Sequence, residues 1–88
     1  MSITTNQITV AATATLIATI PDGGATVILT NIDATVTVYI GGSGVTTSIG
    51  KQLLAGQSLS GTFNTDEDIY GIVSAGTLVV DYLMNQAL

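Results

Sequence analysis

Cysteine, histidine and arginine are all absent from this sequence, and Lys51 carries its entire positive charge. Without cysteine there is neither a disulfide framework nor a thiolate metal site, and the redox compartment stays undetermined. Without histidine or cysteine, Ser–His pairs, Cys–His pairs and zinc-activated water are excluded as well. One cation cannot neutralise a row of phosphates, which argues against nucleic acid and against anionic lipid as partners. Six acids (Asp22, Asp33, Asp66, Glu67, Asp68 and Asp81) leave a formal net charge of −5. No apolar run reaches the roughly 18 residues that a membrane-crossing helix needs. The N-terminal segment lacks the basic start of a secretory signal, so synthesis in a cytoplasm without export is expected.

Aromatics are scarce too, at 5% of the 88 residues, so the core has to come from Val, Ile, Leu and Ala. Charged residues make up 8%, against roughly 25% in an ordinary soluble domain. Thr, Ser, Asn, Gln, Gly and Ala must therefore cover most of the surface. With a mean hydropathy of +0.61, such a surface suggests a face covered by further copies or by a host assembly. The plainer alternative is a Thr-rich monomer with neutral outward faces.

What is present is strand grammar. Val36, Val38 and Ile40 alternate with Thr35, Thr37 and Tyr39, the period of two expected of a half-buried strand. Residues 14–20 and 57–63 alternate similarly. Residues 25–30 read as a central strand, apolar on both faces through Val27, Ile28 and Leu29, and residues 7–10, 45–49, 69–73 and 77–84 read as further strands. Pro21-Asp22-Gly23-Gly24 and Ser74-Ala75-Gly76 read as turns. Asn31-Ile32-Asp33-Ala34 reads as a tight hairpin connection on which residues 35–40 pair back. Residues 50–56 read as an extended connector anchored by Leu53 or Leu54. The expected fold is all-β: a small antiparallel sandwich or barrel of seven to eight short strands, jelly-roll or Greek-key-like. Residues 1–6 read as a flexible N-terminal arm and residues 7–88 as a single β-sandwich domain.

Few constellations could carry chemistry. Lys51 is a lone lysine with nothing bracketing it as a Ser–Lys site. Asp66-Glu67-Asp68 could offer carboxylate oxygens to calcium, or simply form a solvated loop; adjacent acids on extended backbone point apart, which favours the loop. A glycosidase-like carboxylate pair would want more aromatics and a deeper cleft. Gly41-Gly42-Ser43-Gly44 lacks the lysine and following helix of a phosphate cradle, leaving a hairpin turn that needs positive φ. Tyr39, Tyr70 and Tyr82 are amphipathic enough to anchor an interface, or to plug the ends of a small core.

One resemblance covers residues 14–83. VILTNIDATVTVYIGGSGVTTSIGKQLLAGQSLSG, followed by DIYGIVSAGT and a closing strand, resembles small β-rich structural proteins encoded among tailed-bacteriophage head and tail genes. The shared features are Thr37-Val38-Tyr39-Ile40-Gly41 after an Asn-containing turn, the Leu54-Ala55-Gly56 connector before Ser58-Leu59, and the Ser74-Ala75-Gly76-Thr77 turn.

The resemblance implies a non-enzymatic virion component, a capsid decoration (cement) protein on the outer capsid surface, with no catalytic residue or cofactor carried over. Its implied partners are the major capsid protein and further copies of itself, a trimer being favoured. Tail, fibre or head–tail connector roles, binding a host surface or another virion protein, are the alternative; residues 41–47 and 64–68 would then be contact tips. Ile3, Tyr39, Tyr70 and Tyr82 are the candidate partner-interface residues. The arm is expected to be disordered alone and to order on the partner through Ile3.

Overall fold

The computed structural model describes residues 2–86, and every regular element in that span is a β-strand. The strands are Ser2–Val10 (β1), Thr15–Ala18 (β2), Ala25–Asn31 (β3), Val38–Gly41 (β4), Lys51–Leu53 (β5), Ser58–Phe63 (β6), Ile69–Ile72 (β7) and Leu78–Gln86 (β8). They make two four-stranded sheets, β1-β8-β3-β6 and β2-β7-β4-β5, with antiparallel neighbours throughout. Among the described residues, only β4 and β5 are successive strands paired in one sheet; every other connection crosses the sandwich. This is the strand order of a double-Greek-key jelly roll, as the strand count and alternation predict.

Period-two patterning explains why these segments pair as they do. In β3, Ala25, Val27, Leu29 and Asn31 point inward while Thr26, Ile28 and Thr30 face out. In β8, Leu78, Val80 and Met84 enter the same core, which Ile17, Ile20, Val38, Ile40, Leu53, Ile69 and Val73 fill from the opposite side. A register shift in β2 between Leu16 and Ala18 lets the consecutive Ile17 and Ala18 both be buried, as a bulge allows. Gly71 faces this crowded layer, where a Cβ would lie 2.7 Å from Ile17 Cδ1. At the Pro21 turn, Gly24 sits at φ +81°, and its N–H donates to the Pro21 carbonyl at 3.0 Å.

Five sequence expectations are corrected. The first is the flexible arm: residues 2–6 belong to β1, which pairs with β8 from Ser2↔Gln86 to Val10↔Leu78 without interruption. There is no boundary at residue 6. The backbone ladder along β8 supplies the hydrogen bonds that offset ordering entropy, where the side chains alone would not. Met1, Ala87 and Leu88, included in the expected arm and domain, lie outside the described residues.

The second is the hairpin at Asn31. β3 and β4 lie in different sheets, so residues 32–37 form a corner and not a reversal. The side chain of Asn31, fully buried, holds that corner. Its Nδ2 donates to the carbonyls of Val36 (2.8 Å) and Leu53 (3.0 Å), and its Oδ1 accepts the Asp33 N–H at 3.0 Å. Asn31 and Asp33 do supply turn chemistry here, in a corner between sheets.

The other three corrections concern residues 41–56. Residues 45–49 form a loop, in which Thr46 and Ile49 exchange backbone hydrogen bonds and Thr46 Oγ1 accepts the Ser48 and Ile49 N–H groups. That local network competes with a sheet ladder. The β4–β5 connection is therefore a nine-residue loop, and β5 lies inside the predicted connector. Its start is a turn closed by the Val45 N–H on the Gly42 carbonyl, with no positive φ among residues 41–44.

Candidate functional site

The candidate interface residues fall on both sides of the sandwich. Tyr39 and Tyr70 project from the outer face of the β2-β7-β4-β5 sheet. Tyr39 stands between Ile72 and Gln52, and Tyr70 between Leu16 and Gly41. Both tyrosines are half-buried and Leu16 is exposed. The structure thus brings these two tyrosines together on an apolar face. Tyr82 belongs elsewhere: it lies in the inward row of β8 between Asn6 and Leu29 and packs against the core, which is the plug role.

Ile3 is on the opposite side, 68% exposed in the outward row of β1. The outer face of its sheet also shows Ile28 and Leu83, directly paired across β3 and β8. Around them stand hydroxyl ladders, Thr26 with Thr62 and Thr30 with Ser58, the latter pair 2.9 Å apart. Asp81 is the one charged side chain in the outward strand rows of this sheet among the described residues. Thr5, Gln7, Ile28, Thr30, Asp81 and Leu83 line a shallow hollow there.

The β4–β5 loop adds a feature that alternation alone does not reveal. Val45 is buried, and its side chain lies where a Cβ on Gly41 or Gly50 would point, at 3.1 and 2.9 Å. A Cβ on Gly50 would also come within 3.1 Å of the Tyr39 Cβ. Because Gly41 faces outward, the loop is pinned over the outer face of the tyrosine sheet. Ile49, 72% exposed, stands on this loop, two residues before Lys51. Sequence reading missed Ile49 because it placed it in a strand.

A cleft of about 600 Å³ opens at one end, with Ile40, Leu59, Phe63 and Ile69 as its apolar lining and Asp66, Glu67, Asp68 and Tyr70 at its lip. Its three acids are committed separately. Asp68 Oδ1 accepts the Ile20 N–H at 3.1 Å, Glu67 Oε1 accepts the Asn64 N–H, and Asp66 adopts φ +69° in the turn. Among the described residues, no three acids converge on a point that could hold a metal ion. At the other end Asp33 Oδ2 accepts the N–H groups of Thr35 (3.0 Å) and Val36 (2.8 Å). Those bonds hold its carboxyl below the usual carboxylate range.

These features define a class: an eight-stranded jelly roll whose two outer faces both carry exposed apolar side chains. No protein-family model and no curated protein matches the chain. Among solved structures it is similar to a protein of Bacillus endospore appendages, described as a novel family of disulfide-linked pili. The TM-score is 0.63 and the identity 21%, over 94% of this chain and 84% of that one. The likeness is one of fold.

Proposed function

We propose that this chain is a non-enzymatic structural subunit of a surface assembly, and that its setting is the exterior of a tailed-phage capsid. The observation that carries this reading is the pair of outer faces. Each presents large apolar side chains among mostly uncharged polar ones, a surface suited to being covered by protein. The sequence resemblance over residues 14–83 supports the capsid setting. There the subunit bridges neighbouring copies of the major capsid protein and buries joints that internal pressure would open.

The test is a mass-spectrometric copy count on purified particles, with heat resistance compared between particles that carry the protein and particles that lack it. Many copies per particle and a higher disruption temperature are expected. No particle-bound copy together with equal resistance would overturn the capsid setting.

A second reading has its own support. The likeness in fold to an endospore-appendage protein favours a subunit of an extracellular fibre. The pili of that comparison are disulfide-linked, whereas these 88 residues contain no cysteine. Copies of this chain would then have to be held by non-covalent contact. Fibres seen by electron microscopy in the pure, concentrated protein, unchanged by reductant, are the expected mark of this setting.

A further inference from the structure

We infer that two copies of this chain pair antiparallel along their β1 edges, about a twofold axis at Asn6. The inference goes beyond the structural-subunit reading, which leaves open how copies touch. Each sheet has two edge strands, β1 and β6 in one, β2 and β5 in the other. Natural edges are blunted by shortness, bulges or charge. β2 has four residues and a register shift, β5 has three and carries Lys51, and β6 has six with Gly61 among them. β1 has none of these devices. It runs nine residues without a charge, a proline, a glycine or a break in register, and residues 3–7 are exposed in both of its rows.

The direction of its backbone groups can be followed strand by strand. The Asn31 N–H donates to the Gln57 carbonyl, on the β6 side of β3. Backbone groups of successive residues turn to alternate sides, so those of Thr26, Ile28 and Thr30 meet β8, at Asn85, Leu83 and Asp81. The even-numbered residues of β8 and β1 then bond each other. Ile3, Thr5, Gln7 and Thr9 are left with their N–H and C=O groups toward the open edge. The Gln7 N–H agrees, donating to Oδ1 of its neighbour Asn6 at 2.8 Å in an exposed position.

Backbone pattern and charge select a second copy as the occupant. With Asn6 on the axis all nine residues overlap, and no other edge of the fold offers so long a match. Thr5 exchanges both hydrogen bonds with Gln7 of the second copy, and Ile3 with its Thr9. Asp81, the one acid in the described strands of this sheet, sits beside Gln7 on β8. Two copies of it are kept three strand spacings apart, about 14 Å, beyond the Debye length of about 8 Å at physiological salt. Two chains of net charge −5 thus meet along an uncharged border. The contact is isologous and closes as a dimer, not as the trimer that the sequence resemblance implies.

Sedimentation velocity over a concentration series tests this on the full chain, with circular dichroism melts to check that each variant folds. Wild type is expected to rise to twice the monomer mass and stop. Thr5→Pro removes an edge donor that β8 does not use, which the fold tolerates. It is expected to weaken dimerisation about tenfold or more, because two ladder bonds are lost. Should it not fold, two charge variants decide. Asn6→Lys and Asn6→Asp each set like charges opposite one another on the axis, and each alone is expected to weaken dimerisation roughly two- to fivefold. An equimolar mixture is expected to recover the wild-type affinity or exceed it, since every Lys then meets an Asp.

A wild type monomeric at every concentration, a folded Thr5→Pro that dimerises like wild type, or a mixture no stronger than its components would each overturn the inference. Growth past the dimer would overturn it as well, being the mark of β1 pairing with β6 of the next copy. The particle copy count still decides the structural reading separately.

Discussion

At the scale of single residues, Asn31 matters most to the fold. It is fully buried and its amide satisfies two backbone carbonyls and one backbone N–H at the corner between the sheets. Asn31→Ala strands those groups in the interior, where each unpaired group costs about 1–3 kcal/mol. Urea unfolding of this variant is expected to show a loss of about 3–4 kcal/mol. The role was only half legible: Asn31 and Asp33 announce a turn, but nothing local says that the chain is changing sheets. Asp33 gives a pH signature. Its carboxyl sits below the ordinary value of 3.8 when folded, so its contribution is complete above that value and disappears as pH falls through the lower folded one. Denaturant midpoints from about pH 5 down to about pH 2 are therefore expected to separate wild type from Asp33→Asn at the upper end and to converge at the lower end. A gap that stays constant would show that the two N–H bonds do not depend on the charge.

At the scale of elements, alternation marked the strands well and their partners poorly. Residues 25–30 were legible from their apolar run and residues 57–63 from the alternation of Leu59, Gly61 and Phe63. Residues 2–6 were not, because Thr4, Thr5 and Asn6 bury little and are ordered by backbone pairing with β8. Deleting residues 2–6 is thus expected to destabilise the isolated domain, since each ladder bond contributes about 0.5–1.5 kcal/mol net. A drop in Tm on the order of 15 °C or more should follow in a calorimetric scan; an unchanged Tm would return the segment to the status of an arm. Residues 45–49 misled in the opposite direction. Val45 and Ile49 look like strand positions, but one packs over Gly41 and the other stands in solvent. The candidate interface was correspondingly half visible: Ile3, Tyr39 and Tyr70 are outward, Tyr82 is not, and Ile28, Leu83 and Ile49 emerge only once register and loop path are known.

At the scale of the whole molecule, Glu67 and Asp68 at the cleft each accept a backbone N–H, and no three acids converge among the described residues. Thermal melts with calcium and with a chelator are expected to coincide. A calcium-dependent rise in Tm would instead reveal a cation bound to the native state. The position of β8 carries a consequence for biosynthesis. This last strand lies between β1, the first, and β3, so the sheet that contains them cannot close until the ribosome has delivered almost the entire domain. Until then β1 and β3 each present an uncharged edge able to pair with a neighbouring nascent chain. Folding must await the final strand and proceed through distant contacts, on the slow side for a domain of this size. Clustered translation of many copies, the condition under which an assembly subunit is made, is then also the condition in which mispairing competes hardest with folding.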